Sequence, residues 1–92
     1  MSDKTTAYIW TLIALAHAEE AMIAANRASR YLSRPNRYAE KALVAAGLAV
    51  TNAQNAAEFF LTDNYDAVIL AAHQAYEFRV QALHAFQDAA RE

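Results

Sequence analysis

Histidine and carboxylate residues recur at helical spacing in the last third of the chain. Asp66, His73, Glu77, Gln81, His84 and Asp88 form a polar stripe, and the pairs His73–Glu77 and His84–Asp88 stand four residues apart. At that spacing both members of a pair share one side of a helix. With His17 and Glu20 approaching from another helix, such pairs would make a His/carboxylate metal-binding bundle. The same residues suit a solvated face with ordinary i,i+4 contacts. No Glu-x-x-His pair, the usual signature of carboxylate bundles, occurs anywhere in the sequence. A solvated face is therefore the expectation, with no metal and no cofactor.

Glu19 and Glu20 fall among the apolar positions Leu15, Ala16, Met22 and Ile23. Adjacent helical residues point about 100° apart, so at least one carboxylate lies near the apolar surface. A functional pair would be an acid and a base, or metal ligands. The structural alternative is an ion pair with an arginine such as Arg79, and it takes precedence because charges near a core are normally paired.

Cations cluster around the first break in the helical pattern. Arg27, Arg30, Arg34, Arg37 and Lys41 are five of the eight cationic residues of the chain, and Tyr31 and Tyr38 are interleaved with them. Arg and Tyr dominate binding hot spots. Arg27 and Arg30 also suit the end of a helix, where positive charge offsets the dipole. Arg34 and Arg37, at the start of the next helix, lack that rationale. The cluster is the expected contact surface for another protein.

Arg79 and His84 make an Arg-x4-His arrangement, and the stretch from Ala56 to Leu83 carries Tyr65, Ala67, Ala75, Glu77 and Ala82. In an all-α chain this spacing resembles the ribonuclease motif of HEPN domains. The resemblance implies a composite site formed between two protomers, with Arg79 on phosphate and His84 as acid or base. No Gly-rich phosphate loop, nucleophile elbow or hydroxyl-His-acid set accompanies it.

The elements that must position these groups are legible from composition and spacing. One Gly and one Pro among 92 residues leave little for turns or strands. Two breaks stand out. Leu32-Ser33-Arg34-Pro35-Asn36 combines a helix N-cap candidate with a proline suited to the first turn of a helix. In Leu61-Thr62-Asp63-Asn64, Asp63 or Asn64 is placed to cap the third helix. The breaks define three helices, at about residues 4–32, 35–61 and 65–90, each roughly 40 Å long. Short connections make neighbours antiparallel.

Each helix carries a seam of small residues at alternating steps of four and three. The seams run through Ala7, Thr11, Ala14, Ala18, Ala21, Ala25 and Ala28; through Ala39, Ala42, Ala46, Ala49, Ala53, Ala56 and Phe60; and through Val68, Ala71, Ala75, Phe78, Ala82, Ala85 and Ala89. This is coiled-coil spacing. With 24 alanines in the chain, the core gains stability from close backbone approach more than from bulk. The fold class expected is all-α: one domain, a bundle of three long antiparallel helices with Ala-rich heptad seams.

A second apolar stripe accompanies the seam: Tyr8, Leu12, Leu15 and Met22 on the first helix, and Tyr65, Ile69, Ala72, Tyr76, Leu83 and Phe86 on the third. Two such faces suit a helix with two neighbours. From Ala7 to Ala16 the first helix is apolar almost all round, since Ile9, Trp10 and Ile13 join the stripe. Three helices do not bury such a segment on every side, so Tyr8, Ile9, Trp10, Leu12 and Ile13 are expected to form a homodimer contact.

The run from Ala7 to Ala16 is too short to span a bilayer. Ala16-His17-Ala18 has the form of a secretory cleavage site, but Asp3 beside Lys4 removes the positive lead such a signal carries. The segment reads as the start of a helix. With no cysteine there is no thiolate chemistry, and a net charge of −2 provides no general footprint for nucleic acid. The expectation is a cytoplasmic, non-enzymatic protein-interaction module: an adaptor, inhibitor or antagonist acting as a helical homo-oligomer. The ribonuclease and the metal-binding bundle are the alternatives.

Overall fold

A computed structural model of the chain describes residues 3–33 and 35–91. Three α-helices make up the bundle: α1 at Lys4–Ala28, α2 at Arg37–Leu61 and α3 at Tyr65–Arg91. A short 3-10 turn, Ser29–Tyr31, closes the first of them. Among the described residues there is no strand. The Cα atoms fill a rod of 47 × 16 × 14 Å, and every helix packs against both others.

Local chemistry sets the helix ends. Asp3 caps α1, its Oδ1 accepting from the Thr6 amide at 2.7 Å. That bond holds the Asp3 carboxyl below its ordinary pKa. At the first break the expected boundary shifts. Pro35 precedes α2 and does not enter its first turn, because Asn36 is the cap: its Oδ1 accepts from the amides of Tyr38 and Ala39. The Asn36 Nδ2 donates to the Ala89 carbonyl of α3 at 3.3 Å, tying the start of α2 to the last turns of α3. Likewise α1 gives way to the 3-10 turn at Ser29 and does not run to Leu32.

At the second break Asp63 takes a left-handed conformation, with φ of 61°. Its amide donates to the Phe60 carbonyl and the Asn64 amide to the Phe59 carbonyl. These two bonds form a Schellman closure with aspartate where glycine is usual. The Asp63 carboxylate accepts from the Tyr65 hydroxyl at 2.9 Å, which raises the Tyr65 pKa.

Every alanine of the three seams is buried, together with Thr11 and Val68. The Thr11 hydroxyl is satisfied within its own helix by the Ala7 carbonyl at 2.9 Å. Among fully buried side chains Val68 is the largest. Phe60 and Phe78, the large members of the seams, are half-buried at the edge of the core. A methyl group contributes only about 0.8 kcal/mol on burial, so this interior works through the close approach that small side chains permit.

The second stripe of α1 stays largely at the surface: Tyr8, Leu12, Leu15 and Met22 are each about half exposed. Besides the alanine seam, Tyr8 meets Phe60 of α2, and Trp10, His17 and Glu20 reach α3. On α3 the second stripe divides, with Ala72 buried and Tyr76 and Leu83 exposed. No described helix is long and apolar enough to cross a membrane.

Candidate functional site

An open groove of about 720 Å³ lies between α2 and α3. Val44, Ala45 and Leu48 of α2 and Ala85 of α3 provide its apolar lining. Arg37, Tyr38, Glu40 and Lys41 line it from the first turns of α2, and Gln81, His84 and Asp88 face them from α3. The Arg37 guanidinium lies 5.0 Å from the centre of the Tyr38 ring, and the Lys41 ammonium 5.5 Å from it. An Arg37 Nη donates to the Tyr38 hydroxyl at 3.1 Å. The ring is itself anchored, because Tyr38 packs on the buried Ala28, Ala39, Ala42, Ala85 and Ala89. Two cations on one held aromatic ring, beside an apolar trough, form a surface suited to binding.

The sequence cluster of Arg and Tyr is thereby divided. Arg37, Tyr38 and Lys41 line the α2–α3 groove. Arg27 lines a smaller hollow of about 210 Å³ between α1 and α3, with Glu20, Ile23, Leu83 and Phe86. Tyr31 packs against the end of the core and Arg30 is exposed. Arg34 lies outside the described residues.

Arg79 and His84 also part company. Arg79 points to α1, where its Nε stands 2.5 Å from Glu20 Oε2 and its guanidinium 5.9 Å from the Tyr76 ring. His84 lines the other groove, and among the described residues no hydrogen bond or ion pair orients it. Five residues on a helix turn through about 500°, so the two side chains diverge by about 140°. Within one chain they do not converge on a common point.

The remaining imidazoles are engaged with aromatic rings. His73 packs on Trp10 with ring centres 5.0 Å apart, and His17 meets Tyr76 edge-on at 5.2 Å. Burial pushes the His17 pKa down; Arg79 and His73 add to this and Glu20 opposes it. The His17 Nδ1 is buried without a hydrogen-bond partner among the described residues. No group of three His, Asp or Glu side chains among them converges as a metal site would require.

On the expected self-association surface, Tyr8, Ile9 and Leu12 point outward, together with Leu15, Met22 and Ile23. Trp10 and Ile13 do not join them. Both are half-buried, and Trp10 is turned onto α3.

The arrangement defines an all-α three-helix bundle with an alanine interior. Comparison with protein-family models, with curated proteins and with solved structures finds no match.

Proposed function

We propose that the chain is a non-enzymatic protein-interaction module, a helical bundle that self-associates and binds another protein as an adaptor, inhibitor or antagonist. One observation carries the reading: the fully buried interior is almost entirely alanine, and many of the large apolar residues remain at the surface. Tyr8, Ile9, Leu12, Leu15, Met22 and Ile23 are each close to half exposed along α1. On α2 the same is true of Leu43 and Leu48, while Val44 is 63% exposed. Contiguous apolar surface of this kind marks an interaction site. The outer strip of α1 is the first candidate for self-association. The groove bearing Arg37, Tyr38 and Lys41 is the candidate contact for a different protein, because Arg and Tyr beside an apolar trough supply the usual anchors.

The test is binding by the intact protein and by a variant carrying Arg37→Ala and Lys41→Ala, each mixed with proteins recovered from its host. A stoichiometric complex that re-forms from purified components and is lost in the variant, with an unchanged melting curve, supports the reading. Cleavage of RNA by the purified protein, abolished by His84→Ala, would replace it.

A further inference from the structure

The seams of α2 and α3 repeat each other at one fixed offset. Ala39 matches Val68 and Ala42 matches Ala71, in step through to Phe60 and Ala89, always 29 residues apart. That offset is about eight turns of 3.6 residues. A straight helix running unbroken through both segments would therefore carry the two seams on one side, about 20° apart.

The turn between them contains nothing that forbids such a helix. Thr62, Asp63 and Asn64 include neither glycine nor proline, and all three are exposed. Asp63 is held at φ of 61°, a left-handed backbone that costs it energy and that a straight helix would relieve. The Thr62 hydroxyl donates to the Glu58 and Phe59 carbonyls, as it would within a continuous helix. Straightening gives up the surface bond from Tyr65 to Asp63 and the Phe60–Tyr65 ring contact at 6.0 Å. The connection from α1 to α2 differs, because Pro35 stands in it and breaks any helix through that point.

We infer that this chain exchanges α3 with a second copy of itself: the turn at Asp63 straightens, and α2 and α3 become one helix. Short hinges under strain invite such an exchange. A two-fold axis at the hinge sets the two long helices antiparallel. The α1 of each chain then packs on its own α2 and on the α3 of its partner. This symmetry requires α2 and α3 of one chain to present their seams in the same direction, and the offset of the seams meets that requirement. The alanine contacts of the closed bundle are rebuilt between chains, so the hinge and the concentration set the balance. The exchange uses the buried seams and no outer face, and it stands apart from the self-association proposed through α1.

The test attaches a spin label to each cysteine of a Leu48→Cys, Gln81→Cys variant, whose two sites line the α2–α3 groove together. The labelled chain is refolded at millimolar total concentration with excess unlabelled protein, so that pulsed electron resonance reads the distance within one chain. Neighbouring helices of the closed bundle keep the labels within about 20 Å. In the exchanged dimer, 33 residues of continuous helix hold them about 50 Å apart. Expected is a dimer fraction, separated by size exclusion, that shows the long distance and reverts slowly on dilution. Asp63→Gly suits the left-handed turn and lowers the dimerisation constant about tenfold. Asp63→Ala with Asn64→Ala favours the straight helix and raises it about tenfold. Leu12→Glu, on the outer strip of α1, leaves the exchanged dimer in place. A dimer whose labels stay within about 20 Å overturns the exchange and leaves surface self-association standing. A double-alanine variant that is fully helical by circular dichroism yet monomeric at millimolar concentration overturns it as well.

Discussion

Arg79 of α3 reaches across the bundle to Glu20 of α1, Nε to Oε2 at 2.5 Å, and also stands beside the Tyr76 ring. The pair pins the middle of the α1–α3 contact and draws Arg79 away from the face that holds His84. Its stabilising effect is small because the side chains are 30% and 50% exposed, so solvent screens the charges. Glu20→Gln or Arg79→Met should each lower stability by about 1 kcal/mol or less. The double variant should cost little more than either single one. A loss of several kcal/mol from Arg79→Met, read by urea unfolding, would contradict this.

Close packing of the seams makes added volume harmful. Ala46 is 5% exposed and Ala75 fully buried, each in the middle of its helix. Replacing either with Leu should destabilise the bundle by about 1–3 kcal/mol through overpacking. Thermal melts under matched conditions check this, and a neutral result would place that alanine away from a tight crossing.

Asp63 holds a left-handed backbone that suits glycine better. Asp63→Gly should stabilise by about 0.5–1 kcal/mol, although the bond to the Tyr65 hydroxyl is lost at the surface. A β-branched residue, as in Asp63→Val, should destabilise by about 1–2 kcal/mol. Equal melting points for the two variants would refute the strained turn.

His17 links stability to pH. Its folded-state pKa is lowered, chiefly by burial and then by Arg79, so the unfolded chain binds the proton more readily. The contribution of neutral His17 is present above about pH 6.5 and is lost as pH falls through that value toward the folded pKa. His17→Phe retains the ring contact with Tyr76 and removes the unpartnered Nδ1. It should flatten the stability profile below about pH 6.5 and add about 1 kcal/mol at neutral pH. An unchanged profile in the variant would assign the pH dependence to another group.

Much of the fold was legible in residue spacing. Steps of three and four confine the alanines to one side of each helix whatever surrounds it, and every alanine of those seams is buried. The ion pair of Glu20 with Arg79 was legible too, since a carboxylate among apolar neighbours needs a cation. Capping was less so. Asn36 was hidden behind Pro35, and its bond to Ala89 spans 53 positions of sequence, beyond the reach of any local pattern.

Periodicity determined which residues share a face of a helix; only the packing of three helices decided which faces meet. The direction in which one helix presents its face to another depends on the crossing geometry, which no single-helix pattern contains. Packing turned Trp10 onto α3 while Ile9 stayed in solvent. It also sent Arg27 and Arg37 to different grooves and brought Tyr38, Lys41 and His84 to the same one. The small seam explains the rest: alanine lets the helices close on one another without covering their large residues, so those residues remain on the surface where another chain would meet them.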